Sequence, residues 1–521
     1  MTLKFALFVC LAISFIFSCS SETTRVGTVN WWCTQTPHYE ICNQYVVFRN
    51  PTMATISTNE FLDMTVEAAI DEARIVLKRA QGIESKYPNV PGKSQWGSCV
   101  DYFDGVVFTL NMIQNNTLQP DPLDVQTWLS ASLAYINVCE KGFELIKKTD
   151  TMLPVISTNL TLLILNSLAI SLLMKGSSTN ITPGVVDSEY FLNEYKPRPD
   201  VVVAHDGSGD FKSVQEAVDS AMNRPHPGRY VIYVKAGIYE ENVVIPRTVE
   251  LITMFGDGIN KTIISGSRRS GDAVLETVKV SDLKESATFQ AWGRGFIARD
   301  MTFRNTAGPL GSQAVALLTS SDKSVFYHCS IEGYQDTLFT FSSRQFFKEC
   351  KIFGTVDFIF GDAAAVFQDC QIFLRRPRPG GGLVVTAHGR KYENETTGYT
   401  LQGCKITAGN DLKPVIDQYK AAFLGRPWFA CARTVYMQSF LDDLVDPVGW
   451  LDSWGYNQTI YYGEYENYGP GSSTSGRVKW HGYHVITDPK IALPFTVAEI
   501  LSGNEWLPGT GVPFKPGFEN K

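Results

Sequence analysis

The chain lacks an apolar run of the roughly twenty residues that a membrane-crossing helix needs. Two shorter runs stand out. Phe5–Phe17 follows Lys4, carries no charge and ends in the small residues Ser18, Cys19, Ser20 and Ser21. That pattern predicts a secretory signal peptide over residues 1–20. Leu160–Met174 is broken by Asn166, Ser167 and Ser171, and is expected to be a buried bundle helix. The chain also lacks any Cys-x-x-Cys spacing, which removes the commonest sequence sign of a structural zinc. Nothing calls for a metal or an organic cofactor. It has no basic excess: the formal charge is −7, which argues against nucleic acid as a partner and leaves any acidic substrate to be held by local cations.

What is present points to an oxidising, extracellular compartment. Six sequons, at Asn115, Asn159, Asn180, Asn260, Asn394 and Asn457, agree with a secretory route. Of eleven cysteines, Cys10 and Cys19 fall in the leader, and the remaining nine leave at least one without an intrachain partner. Cys33–Cys42 and Cys99–Cys139 are the economical local bridges. From Asn59 to about Met174 an apolar stripe through Phe61, Met64, Ala68, Ala69, Ile75 and Val76 alternates with charge, as in an all-α bundle. Periodicity fades between Thr182 and Asp200, where Pro183, Gly184, Pro197 and Pro199 gather as in a linker. The expected domains are therefore 25–181 helical, 182–200 linker and 201–513 β, with a tail at 514–521. Beyond Val201 one helix is expected near Ser213–Met222, then strands at Tyr230–Val234, Val249–Met254, Thr262–Ile264 and Val274–Val280.

The β part repeats. Phe303, Phe326, Phe347 and Phe367 recur at steps of 23, 21 and 20, each followed within three positions by Asn305, Cys329, Cys350 or Cys370. Such a period predicts a parallel β-helix, whose coils stack at about 4.8 Å. Residues one repeat apart then lie one above another. Asp336 and Asp357 are 21 apart and Gln313 and Gln335 are 22 apart, so two carboxylates and two amides converge on one face. Paired carboxylates repel, which favours one protonated and one ionised and so separates an acid from a nucleophile or base. The amides can donate to an oxyanion. Arg426 offers a fork to hold a carboxylate ionised, and Trp428 a flat face for a sugar. Stacked amides and acids can also be purely structural ladders. Cys350 and Cys370, one coil apart, suit a disulfide, with Cys329 and Cys404 as competitors in the same column.

The words GIYEE (Gly237–Glu241), QAVAL (Gln313–Leu317), GYQDTL (Gly333–Leu338), GTVDFIFG (Gly354–Gly361) and LGRPW (Leu424–Trp428), in this order, resemble plant pectin methylesterases from about Pro199 to about Pro513. CTQTPHYEIC (Cys33–Cys42) with Cys99 and Cys139 is similar to the inhibitor-type pro-region of that family, a four-helix bundle. The resemblance implies a right-handed parallel β-helix in the cell wall, with a cleft for methyl-esterified homogalacturonan. It also implies that the helical region, or separate inhibitor proteins, could act as partners. In the implied roles Asp357 attacks the ester carbonyl and Asp336 protonates the departing methanol. Gln335 and Gln313 stabilise the oxyanion, Arg426 bonds Asp357, and Trp428 lines a sugar subsite.

Three positions depart from the family pattern: Leu283 where Thr is frequent, Asp362 after FIFG where Asn is usual, and His388 in place of Gln. The linker EYKPRPD (Glu194–Asp200) also lacks a dibasic processing motif. Two other functions fit parts of the pattern. Carboxylates about 5 Å apart suit a retaining glycosidase, or the scaffold a lyase, although two amide donors favour an acyl oxyanion and no acidic calcium cluster is evident. An inhibitor or binding protein with an inert β-helix is the third reading.

Overall fold

A computed structural model describes residues 25–50, 55–86, 93–115, 117–145, 158–174, 197–224, 228–270, 272–274, 278–280, 283–419, 422–452 and 454–518. The leader, Asn180 and most of the expected linker lie outside these residues. Four main helices, Thr58–Lys86, Lys93–Ile113, Pro122–Leu145 and Thr158–Ser171, form the N-terminal bundle. Disulfides join Cys33 to Cys42 and Cys99 to Cys139, the second tying two of these helices together. The Leu160 run is a bundle helix, with Leu160, Leu163, Ile164, Leu168 and Ile170 buried. Its buried Asn166 is satisfied at both ends, accepting from the His38 amide at 2.9 Å and donating to the His38 carbonyl at 3.0 Å. No helix among the described residues is long and apolar enough to cross a membrane.

The rest is a right-handed parallel β-helix whose three faces are parallel sheets of seven, eleven and eight strands among the described residues. A capping box in which Ser213 and Glu216 satisfy each other opens helix Val214–Ser220 at the first coils. Glu241, the last residue of GIYEE, accepts from the amides of Val214 and Gln215 at 2.7 and 3.0 Å, so this motif secures a helix N-terminus. The strand expected at Val249–Met254 is shorter, Ile252–Phe255. The one expected at Val274–Val280 is two antiparallel strands, Asp272–Val274 and Val278–Val280.

Coil corners explain the repeat. One residue per coil takes a left-handed backbone between the eleven- and eight-stranded faces: Asp300, His328, Glu349, Asp369, Gly403 and Gln438, with φ of 50–63°. The next residue points inward into the crowded corner, which admits Met301, Cys329, Cys350, Cys370, Cys404 or Ser439, all buried. Phe326, Phe347 and Phe367 are in register and stack at 4.8 and 4.7 Å. Phe303 departs from the expected column: it pairs with Ile331 on the neighbouring face, and Met301, not Asn305, occupies the corner equivalent to the cysteines.

The expected Cys350–Cys370 disulfide is not formed; both thiols are free and buried, as are Cys329, Cys404 and Cys431. In-register stacking keeps successive Cα–Cβ bonds parallel at about 4.8 Å, wider than the Cβ separation of about 3.8 Å a disulfide favours. Three of these thiols instead donate to a carbonyl of the preceding coil, Cys350 to Phe326 at 3.2 Å, Cys370 to Phe347 at 3.5 Å and Cys404 to Phe367 at 3.2 Å. Burial pushes the Cys350 and Cys370 thiols well up, away from the reactive thiolate. The C-terminal segment expected as a tail is docked through residue 518. Val512 and Phe514 pack on the eleven-stranded face, and Gln402 donates to the Gly517 carbonyl at 2.7 Å.

The Phe stack is the centre of the solenoid, so Phe347→Ala is expected to cost about 3–5 kcal/mol and to lower the melting temperature clearly in a thermal scan. Cys350→Ser and Cys370→Ser, in contrast, should leave the change in melting temperature on reduction the same as in the parent chain, because only the two bundle disulfides are there to be reduced.

Candidate active site

The seven-stranded sheet runs from Val243–Ile245 through Phe289–Ala291, Leu317–Thr319, Leu338–Thr340, Val356–Gly361 and Val384–His388 to Phe423–Gly425. Leu338 pairs with Ile359, an offset of 21 that stacks Asp336 with Asp357 on adjacent coils. The Asp336 amide donates to the Val356 carbonyl at 3.2 Å. Gln313 and Gln335 form a parallel bridge one coil apart. The four sequence-derived polar groups therefore lie on three successive levels, Gln313, then Gln335 with Asp336, then Asp357. Both acids have left-handed backbones, φ 59° at Asp336 and 51° at Asp357, and the register slips between Val356 and Ile359. Non-glycine residues held in this region cost about 1–3 kcal/mol, strain that the surrounding ladder must impose.

The two carboxyls have different surroundings. Arg426 grips Asp357 with both prongs, Nε to Oδ1 at 2.8 Å and Nη2 to Oδ2 at 2.5 Å. Burial pushes the Asp357 acid up, and the guanidinium opposes that. Asp336, 5 % exposed, makes no side-chain hydrogen bond to another described residue. Burial, and then the charge of Asp357, push it well above the carboxylate range. The pair is thus polarised: both acids are raised, but the guanidinium favours the charge on Asp357 and the proton on Asp336. The side-chain amides of Gln313 and Gln335 make no hydrogen bond to described groups. Trp428 lies edge-on to Phe339 and Phe360, at 6.1 and 5.8 Å between ring centres.

Behind this level lies a second acid pair that no sequence motif joins. Asp362 and Glu395 are buried. Thr397 donates to Asp362 Oδ1 at 2.5 Å, and the amides of Lys391 and Tyr392 donate to Glu395 Oε2 at 2.9 and 2.7 Å. The remaining oxygens, Asp362 Oδ2 and Glu395 Oε1, find no donor. His388 accepts the Arg433 amide at Nδ1 and donates from Nε2 to the Ala363 carbonyl, so burial keeps it neutral. Burial pushes the Glu395 acid up to about 7, and burial with the Glu395 charge lifts Asp362 well above its ordinary value. Asp362 was visible in the sequence as a departure; Glu395 belongs to no motif and becomes visible only through the fold.

The helical region sits on the outer face of this sheet. Its buried residues form one cluster with Trp292, Leu318, Phe339, Phe341, Phe360 and Ala387, against which Leu283 and Trp428 also pack. Tyr135 meets Phe341 at 5.0 Å and Trp292 at 6.2 Å, and Tyr102 meets Phe341 at 5.5 Å between ring centres. Polar ties ring the contact. Trp128 donates to Asp322 at 3.1 Å, Arg247 to Asp101 at 2.8 Å, Lys391 to Glu140 at 2.6 Å and the Thr396 amide to Ser130 at 3.2 Å. Arg344 bridges Asp322 and Asp124.

Of the sequons, Asn115 and Asn260 are exposed, and Asn394 and Asn457 are half-buried. Asn159 is half-buried too, and its amide donates to the Tyr45 hydroxyl at 3.0 Å.

Comparison with known proteins gives two family matches: "Pectinesterase" over residues 200–504 and "Plant invertase/pectin methylesterase inhibitor" over residues 27–170. "Pectinesterase 2" of Citrus sinensis is 42% identical over 98% of this chain and 100% of its own length. "Probable pectinesterase/pectinesterase inhibitor 17" of Arabidopsis thaliana is 40% identical over 97% of this chain and 98% of its own. Among solved structures, a pectin methylesterase from carrot aligns at 47% identity and a TM-score of 0.60, covering 63% of this chain and all of that one. One from Aspergillus niger aligns at 29% and 0.51, covering 62% and 98%.

An acid with a raised native pKa stabilises the fold fully below its unfolded value, and that contribution is lost as pH rises through the native value. Thermal stability should therefore decline between pH 5 and 8. Asp362→Asn, which offers an amide to Glu395, is expected to flatten that decline and to add roughly 1–3 kcal/mol at pH 8, measurable by melting across pH.

Proposed function

The chain belongs to the pectinesterase family, with an inhibitor-type domain ahead of the enzyme, and we propose that Asp357, Asp336, Gln335, Gln313 and Arg426 carry methyl-ester hydrolysis on homogalacturonan. The observation that carries this reading is the polarised carboxyl pair, one gripped by a guanidinium and the other buried without a cation hydrogen-bonded to it.

In this reading the Asp357 carboxylate attacks the C6 ester carbon. The carbonyl becomes an oxyanion, toward which the Gln313 and Gln335 amides donate, a role worth about 10²–10³ in rate per donor. Collapse expels the methoxy group, which takes the proton of Asp336 and leaves as methanol, and Asp357 is left as a mixed anhydride. Asp336, now ionised, takes a proton from water; the hydroxide attacks the former ester carbon and frees Asp357. The products are methanol and a galacturonate. Each group returns to its starting protonation, so no redox partner or metal is required by the balance. Trp428 would give the sugar ring an apolar wall.

The helical region is read as a cover. Its aromatic side chains occupy the sheet face beside the dyad, where a polymer would have to lie. The domain division proposed is 25–181, a linker at 182–200, and 201–513, with secretion to the cell wall. The isolated Lys196 and Arg198 of the linker fit poorly with dibasic cleavage, which makes the covered, full-length form a state of consequence.

Asp357→Ala is expected to abolish methanol release from esterified pectin with folding intact. Arg426→Gln, which removes the charge opposing protonation of Asp357, should lower kcat by about 10²-fold or more and move the acid limb of the pH–rate profile upward. If cover is the role of the helices, Tyr135→Ala combined with Trp128→Ala should raise the activity of the full chain; unchanged activity would argue against it.

A further inference from the structure

A second cavity, of about 410 Å³, lies on the outer face of the eight-stranded sheet. None of the interface contacts described above reaches it. Its floor is built by Phe353 and Phe373, outward-pointing residues in register on adjacent coils, half-buried and stacked at 4.7 Å with 16° between planes. The Phe326–Phe347–Phe367 column faces inward, and the outward Phe339–Phe360 stack lies under the helical region. An aromatic ladder left open to solvent is a costly arrangement unless something apolar lies on it.

The charges around the floor are unequal. Glu332 is matched by Arg304 at 2.7 Å and also accepts from Ser330 at 2.8 Å. Asp411 is matched by Arg375 at 3.1 Å. Both carboxylates are thereby paired. Lys351, on the same coil as Phe353, makes no ion pair within 4 Å among the described residues, and the Asn410 side chain has no hydrogen bond to them. With Glu332 paired to Arg304 outside the lining, the cavity thus offers one cation held in no ion pair, an amide without a hydrogen bond to described groups and an aromatic floor. Arg375 also lies over the Tyr334 ring, 3.8 Å from its centre, and donates to the Gly333 carbonyl and the Tyr334 hydroxyl. Tyr334 directly precedes Gln335 and Asp336, so one wall of the cavity is the back of the catalytic segment.

We propose that this cavity is a second carbohydrate site that takes a uronate, the acidic sugar the esterase reaction produces. The carboxylate pairs with Lys351, the hydroxyls meet Asn410 and Asp411, and the sugar's C–H face rests on Phe353 and Phe373. The volume falls in the range of small-ligand sites. Because the site lies away from the helical region, the full-length chain could hold de-esterified polymer while its cleft is covered. The choice of a uronate rests on the pectinesterase reading; the site does not require the cleft to be active.

The test uses the full chain and a de-esterified galacturonan hexamer, with binding followed by calorimetry. Lys351→Glu is expected to weaken binding about tenfold or more, as loss of a charged hydrogen bond does. Phe373→Ala should weaken it several-fold. The distant, exposed Lys490→Glu should leave it unchanged, and methanol release should stay within twofold in all three. Binding indifferent to Lys351→Glu overturns the proposal, whatever Phe373→Ala does to folding; an equal loss in Lys490→Glu overturns it too, because only net charge would then matter. Failure of the catalytic reading shows itself separately, as absent methanol release with hexamer binding intact.

Discussion

Everything in the β domain follows from in-register stacking of parallel coils at one strand spacing. That constraint converts a sequence offset of about 21 into a vertical neighbour, and it acts on every side chain alike. Inward it makes ring stacks such as Phe326–Phe347–Phe367. On the seven-stranded face it sets Asp336 over Asp357, where mutual repulsion and the Arg426 fork divide their protonation. At the corners it repeats a single left-handed residue followed by a small buried one. The same constraint that assembles the acid pair prevents the Cys350–Cys370 bridge, because parallel side chains one rung apart suit repulsion or stacking better than a covalent link.

The sequence was most legible where function and repeat coincide. Asp336, Asp357, Gln313 and Gln335 could be brought together from spacing alone because the solenoid has almost no freedom in register. The bundle was legible because its apolar period is long and its cysteines are local. Phe303 was misplaced for an instructive reason. The coil there is 28 residues long, because Ala298 is the partner of Phe326, and Phe303, five residues beyond Ala298, lies around the corner on another face. Glu395 was invisible because its partner Asp362 is 33 residues away in sequence and meets it only through a loop that carries no repeat. The contacts between bundle and sheet were equally hidden: Asp101, Asp124 and Glu140 belong to ordinary charged helix faces, and nothing local tells a solvated carboxylate from one gripped by Arg247, Arg344 or Lys391.

The join between the two regions resembles a core more than a surface contact. Tyr102 and Tyr135 continue the packing of Trp292 and Phe341, and charged pairs lie around the margin. Buried aromatic contact at the centre with polar ties at the rim is the arrangement of a durable interface. The chemistry and its cover therefore share one sheet, with the acids near the start of its strands and the aromatic residues a few positions further along.

That sharing bears on what happens once the helices depart. Trp292, Phe339 and Phe341 would then form a greasy band open to water, which no monomer keeps without cost. A pyranose chain, apolar on its ring faces and wet at its edges, is the natural replacement lining. Exchange of one occupant for the other would let activation and substrate capture proceed as a single event on the same strip of rings.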